Sequence, residues 1–173
     1  PVGKDQSQHL EMTRDVASRF HAQMGETFVI PELKLHEETM YIPGTDGAKM
    51  SKSKGNTIII FQSDKALKKQ IMSIETDSTP LEDPKDPDTC NVFGIYKLLA
   101  SKDEVAQMRK NYEAGGYGYG HAKKALYELV LNTFEKERAL YNHYMENLDE
   151  LDAALSVGAE KARGIANDVL ERV

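Results

Sequence analysis

The sequence predicts a mainly α-helical protein, in which a remnant of an α/β layer over residues 1–61 is followed by an α-helical bundle over 62–173. Two observations carry this. The runs that read as strands, Thr27-Phe28-Val29-Ile30 and Thr57-Ile58-Ile59-Ile60-Phe61, both fall in the first 61 residues. Beyond them, apolar residues recur every three or four positions, the spacing that buries one face of a helix. An apolar share of 40% is enough for a core, and 29% charged residues predict a water-facing surface.

Taken in order, the spacing from Asp5 predicts a helix with Leu10, Thr13, Val16, Ala17, Phe20 and Met24 on one face, Asp5 as its N-cap and Gly25 as its stop. Residues 27–30 are β-branched and aromatic between Gly25 and Pro31, which predicts a short strand. Met40-Tyr41-Ile42 reads as one strand of a small ribbon entering the turn Pro43-Gly44-Thr45-Asp46-Gly47. Ser63 or Asp64 caps a helix that turns Ala66, Leu67, Ile71, Met72 and Ile74 inward. Pro80, Pro84 and Pro87 make 75–90 a loop, with the acids at 82–88 solvated. Val92, Ile95, Tyr96, Leu98 and Leu99 mark the next helix, and Ser101-Lys102-Asp103-Glu104 is a capping box opening another. After the glycines at 115–120 come two long amphipathic helices, one built on Leu126 to Tyr144 and one on Leu148 to Val169.

Composition excludes several functions. The formal charge of −6 argues against a general polynucleotide binder, since residues 1–60 hold 7 basic and 8 acidic side chains and residues 61–173 hold 15 and 20. RNA contact must therefore be local, through groups such as Lys65/Lys68/Lys69 or Lys123/Lys124. Cys90 is the only cysteine, which removes a disulfide framework or cysteine metal site and fits a reducing, cytoplasmic setting. His9, His21, His36, His121 and His143 show no metal-ligand spacing. No apolar run approaches the ~20 residues that span a bilayer. Pro1-Val2-Gly3 reads as a buried strand entering a loop, so the sequence is expected to be the later part of a longer protein.

Two segments are suited to chemistry. Lys49-Met50-Ser51-Lys52-Ser53, with Lys54 and Gly55 after it, puts three ammonium groups within six residues on a pliant backbone. Lysine is a compact charge on a flexible stem, able to follow phosphates as they move, and the Ser and Gly N–H groups are further potential anion donors. Gly3-Lys4-Asp5-Gln6 stands where a strand ends and a helix begins, a position whose exposed N–H groups and helix dipole favour phosphate or carboxylate. Asp5 can accept from sugar hydroxyls and Gln6 can both donate and accept, although these two residues also read as an N-cap and a surface amide. Tyr117 and Tyr119 are better suited to packing the glycine loop on the bundle than to stacking on RNA bases.

Residues 49–53 are identical to the KMSKS loop of class I aminoacyl-tRNA synthetases, and the line from Pro1 to Glu11 with Arg14 and Phe20 closely resembles the GxDQ segment and following helix of the tryptophanyl-tRNA synthetase family. The likeness continues through Thr76-Asp77-Ser78, Asn91–Leu99, Tyr117-Gly118 with Lys123, and Gly158–Ala162, so it covers nearly the whole chain. Only the first two motifs are specific individually. One departure is Lys54-Gly55-Asn56, where some relatives have an acidic residue and proline, which leaves the loop's closing conformation open.

The resemblance implies that residues 1–61 are the C-terminal part of a Rossmann-like catalytic domain, that 62–173 bind the tRNA anticodon, and that a terminal helix at 148–173 belongs to the bundle or packs back on the catalytic domain. It implies ATP and tryptophan as substrates, Mg²⁺ sharing the phosphate charge, tRNA(Trp) as acceptor and a homodimeric full-length enzyme. Gly3 and Asp5 would contact the adenosine part, Gln6 the amino acid and adenylate, and the Met50 backbone the adenine. Lys49, Ser51 and Lys52 would hold the triphosphate, with Lys49 and Lys52 as the catalytic charges. HIGH, the family's first nucleotide motif, and the half of the fold that carries it are absent from these residues, so the piece is expected to be inactive alone. The sister tyrosyl enzyme and a non-catalytic helical RNA-binding module are the other readings.

Overall fold

A computed structural model of the protein describes residues 1–35 and 42–173. Met40 and Tyr41 of the expected ribbon, with His36, Glu37 and Glu38, lie outside the described residues. The chain is helical, as expected: α1 (Ser7–Met24), α2 (Asp64–Met72), α3 (Asn91–Tyr96), α4 (Lys102–Ala114), α5 (Tyr119–Thr133), α6 (Glu135–Glu146) and α7 (Leu148–Leu170). It divides into two compact units, Pro1–Met40 with Asn142–Val173, and Tyr41–Tyr141.

The sheet layer is the main difference from expectation. Among the described residues, strand pairing is confined to two isolated bridges, Val2 with Leu35 in parallel and Pro43 with Lys49 antiparallel. Residues 27–30 and 57–61 are not strands: Phe28 lies in a bend and Ile60 and Phe61 in a turn. A strand needs a neighbour to take its N–H and C=O groups, and here side chains take them instead. The Gln70 carboxamide accepts from Ile59 N–H at 2.9 Å and donates to the Thr57 carbonyl, while the Arg138 guanidinium donates to the carbonyls of Ile60 and Gln62. Phe28 N–H likewise goes to His21 Nε2 at 3.0 Å, and its ring packs 5.0 Å from that of Phe20.

In the unit Tyr41–Tyr141 the core lies where α2 and α3 pack on α5. Leu67, Ile71, Ile74, Val92, Phe93, Ile95, Met108, Tyr112, Ala122, Leu126 and Val130 are all buried there. The spacing argument succeeds because all of them but Ile74, which follows α2, lie in short helices, with burial worth roughly 1.5–3 kcal/mol per large side chain. Ser63 caps α2 through Ala66 N–H, and the capping box at Ser101/Glu104 is formed in both directions. Met72, expected inward, is 42% exposed. The helix expected to run from Leu126 to Tyr144 is broken at Phe134 (φ −107°), which gives α5 and α6. Tyr117 and Tyr119 pack at 5.9 and 6.1 Å from the Tyr112 ring, as loop-to-bundle contacts.

The loop at 75–90 has a core of its own making. Lys85 is buried, its ammonium donating to the carbonyls of Pro80 (2.7 Å), Asp83 (2.9 Å) and Leu81 (3.3 Å) and lying 5.5 Å from the Tyr119 ring centroid. Asp88 is paired bidentately with Arg109 rather than simply solvated. Cys90 is buried with its sulfur 3.4 Å from the Tyr112 hydroxyl. Burial together with that hydrogen bond pushes the Tyr112 phenol well above its ordinary range. Lys85→Met should lower stability by about 2–4 kcal/mol, because three inward carbonyls lose their donor. Urea unfolding of this chain measures it, and a loss below ~0.5 kcal/mol would show the cage to be dispensable.

In the other unit, α1 begins at Ser7, one short turn later than expected, because Lys4–Gln6 tighten into a 3₁₀ turn with Gln6 N–H on the Gly3 carbonyl at 2.9 Å. The N-cap of α1 is therefore Gln6, not Asp5, and its side chain makes no cap bond. Ala17 is buried, but Met12, Val16 and Met24 are 59%, 67% and 68% exposed. Helix α7 forms where the spacing predicts it, with Leu155, Ile165 and Leu170 exposed.

Candidate active-site segments

The Gly3–Gln6 segment is a chain reversal held at both ends. Before it, Val2 N–H donates to the Lys34 carbonyl at 3.0 Å. After it, α1 starts at once, so the amides of the first helical turn point back along the segment. No acidic side chain lies within that first turn of α1. Gln6 Oε1 lies 3.1 Å from His9 Nδ1 and accepts from it in the Nδ1–H tautomer. His9 thus orients the amide from one turn along the helix. Gly3, Asp5 and Gln6 are placed together on one turn, with the Asp5 side chain outside the described set.

The lysine loop is built on a hairpin. Pro43 and Lys49 form its bridge, Met50 N–H returns to the Ile42 carbonyl at 2.9 Å, and Gly44 N–H to that of Ala48 at 2.7 Å. Lys52–Lys54 then make a 3₁₀ turn capped by the Ser51 hydroxyl, which accepts from Lys54 N–H at 3.3 Å. Gly55 ends the turn in the left-handed region (φ 67°), its N–H on the Lys52 carbonyl at 3.2 Å. That settles how Lys54-Gly55-Asn56 closes the loop without proline: glycine adopts this conformation at little steric cost. The side chains of Lys49, Lys52 and Lys54 are exposed, and Ser51 is half-buried.

The backbone donors differ from expectation. Ser51 N–H is taken by Asn56 Oδ1 at 2.8 Å and Gly55 N–H by the Lys52 carbonyl, so both amides fix the loop's shape in this conformation. Charge for an anion comes from the lysines. Asn56 is the residue that the sequence reading missed. It is buried, donates to Asp46 Oδ1 at 2.7 Å and to the Lys49 carbonyl at 3.1 Å, and its hydrogen bond holds the Asp46 carboxyl below the usual carboxylate range, with Lys54 contributing a smaller charge effect. The only sequence signal was an amide directly after the closing glycine, ten residues beyond an aspartate.

Elsewhere, Tyr119 Oη donates to Asp77 at 2.7 Å, and burial followed by that bond pushes the phenol up to about 12. Lys123 donates to the Met72 carbonyl at 3.1 Å, and burial lowers its ammonium below its ordinary value. Tyr119 thus ties loop 75–90 to α5, and Lys123 ties α5 to α2. Among the described residues no group of three or more His, Cys, Asp or Glu side chains is placed to hold a metal ion, and no helix is long and apolar enough to cross a membrane.

The family model for class I tRNA synthetases (W and Y) matches residues 1–135, which include both the lysine loop and the glutamine turn. The chain belongs to that family. It is similar over its whole length to the tryptophan–tRNA ligase of Campylobacter jejuni (strain RM1221), at 50% identity over 173 residues, and to that of Rhodopirellula baltica, at 46% over 172 residues covering 99% of this chain. A crystal structure of the C. jejuni tryptophanyl-tRNA synthetase complexed with ADP and tryptophane superposes with a TM-score of 0.87 at 50% identity, over 99% of this chain and 54% of that one. The chain spans about half the length of the curated relatives it matches, 54% in both cases.

Proposed function

We propose that this chain is the later half of a tryptophan–tRNA ligase, acting in the cytoplasm with its remaining half to activate tryptophan with ATP and to charge tRNA(Trp). The observation that carries the reading is the KMSKS loop itself, five identical residues folded as an exposed, capped lysine turn. Similarity to tryptophan–tRNA ligases at 50% identity over all 173 residues supports tryptophan as the amino acid.

In the first step the tryptophan carboxylate attacks the α-phosphorus of ATP, forming tryptophanyl-adenylate and releasing pyrophosphate. In the second, a terminal ribose hydroxyl of the tRNA takes the acyl group and AMP leaves. No enzyme nucleophile is required, so the protein's contribution is positioning and charge stabilisation. Gly3 and Asp5 hold the adenosine, Gln6 reaches toward the amino acid and adenylate, and the Met50 backbone lies by the adenine. Lys49 and Lys52 meet the β- and γ-phosphates most strongly as pyrophosphate departs, with Ser51 beside them. Mg²⁺ bound with the ATP would share the charge of the phosphates. The ammonium and hydroxyl groups of this loop do not fit it as ligands.

Residues 62–173 are the part assigned to the tRNA anticodon. The full-length enzyme is a homodimer in this reading. Its remaining half, bearing HIGH, covers the apolar face at Met12, Val16, Phe28 and Val29, where Val29 is 94% exposed. That groove of about 650 Å³ within the unit Pro1–Met40 with Asn142–Val173 is too apolar to face water as a finished surface.

ATP–pyrophosphate exchange tests the reading. The full-length protein should exchange with tryptophan, and the 173-residue chain alone should show none. Exchange supported by tyrosine but not tryptophan would move the assignment to the sister enzyme, and exchange by the isolated chain would sink the claim that it is catalytically incomplete.

A further inference from the structure

We infer that Asn56 is a positioning residue for the lysine loop, setting through Asp46, Lys49 and Ser51 the angle at which Ser51–Lys54 meet a triphosphate. The inference rests on the synthetase reading and adds a residue to it. Asn56 is 3% exposed, and its carboxamide is fully used: two donated bonds, to Asp46 Oδ1 and the Lys49 carbonyl, and one accepted from Ser51 N–H. Its backbone carbonyl also accepts from Thr45 N–H at 3.0 Å. One side chain therefore ties the turn before the motif to the motif's first residue and to its third.

The chemistry of the pocket admits only this residue type. Two acceptors face the nitrogen and one donor faces the oxygen, so the amide orientation is fixed by its partners. Aspartate cannot donate to Asp46, and an aliphatic side chain removes all three hydrogen bonds, to Asp46, the Lys49 carbonyl and Ser51 N–H. Gly44 completes the cradle. It is buried against the amide so closely that a Cβ there would stand 2.3 Å from Asn56 Nδ2. Asn56 is outside the helical core cluster, so its loss should loosen the loop without unfolding the unit.

The test uses the full-length protein. Asn56→Ala should lower Ser51 amide protection from hydrogen exchange while the amides of α5 keep theirs. The kcat of tryptophan-dependent ATP–pyrophosphate exchange should fall about 10–100-fold, as when a residue that orients a catalytic group is removed, with the tryptophan KM nearly unchanged. Because Asn56 acts through the lysines, the same substitution made in a Lys52→Ala background should cost no more than about twofold. Unchanged Ser51 protection, wild-type exchange by Asn56→Ala, or losses that multiply in full with those of Lys52→Ala would each overturn the inference. Wild-type protein inert with every amino acid would instead overturn the functional reading, and with it the reaction this residue is said to serve.

Discussion

Lys52→Ala is expected to slow tryptophan activation by the full-length protein about 10²–10³-fold, while tryptophan affinity stays within about twofold. The asymmetry follows from where the charge acts. Lys52 sits in the exposed 3₁₀ turn capped by Ser51. In the proposed reaction it meets phosphate oxygens whose charge grows as the α–β bond breaks. An interaction stronger in the transition state than in the ground state appears in kcat rather than in substrate binding. Lys52→Arg should recover little, since a planar guanidinium on a bulkier head does not track a moving phosphate as a compact ammonium does. Pre-steady-state adenylate formation with a parallel tryptophan titration separates the two quantities. Equal losses in both would place Lys52 in uniform binding and contradict its assigned role.

The largest stability effect is expected from Phe93→Ala, at about 3–5 kcal/mol. Phe93 is 1% exposed, its ring 5.8 Å from that of Tyr112 and 5.3 Å from the Arg109 guanidinium. It therefore joins α3 to α4 as well as filling the core. Arg109 is in turn paired with Asp88 from the preceding loop, so the cavity would weaken an anchor of segment 75–90 too. Phe93→Leu, which keeps most of the volume, should cost about 1.5 kcal/mol or less. Urea unfolding of the 173-residue chain reads both, and a loss under 1 kcal/mol for the alanine variant would mean that the core closes around the gap.

What could be read in the sequence follows the range of the forces involved. Helices α2 to α5 were legible because their cores are made from short-range spacing, and the Ser101/Glu104 box because capping is a contact over three residues. The lysine turn was legible as an identical pentapeptide. The strands at 27–30 and 57–61 were misread because β-branched composition fits an extended backbone, whereas a strand also needs a partner, and Gln70 and Arg138 occupy the polar groups of the second run. Asn56 and Lys85 were missed for a related reason. Each binds polar groups that only the folded chain assembles, and neither residue type announces burial. The apolar face of α1 was read correctly from spacing, but not that Val16 and Met24 would stay exposed, since spacing tells which side wants cover and not what supplies it.

The central claim is that the glutamine turn and the lysine loop serve one nucleotide. A crystal structure of the full-length protein with tryptophan and a non-hydrolysable ATP analogue tests it most directly. The account predicts Gly3–Gln6 against the nucleoside and amino acid, with Lys49 and Lys52 within hydrogen-bond distance of the β- and γ-phosphates of that same molecule. An analogue bound with either segment turned away from it would contradict the account.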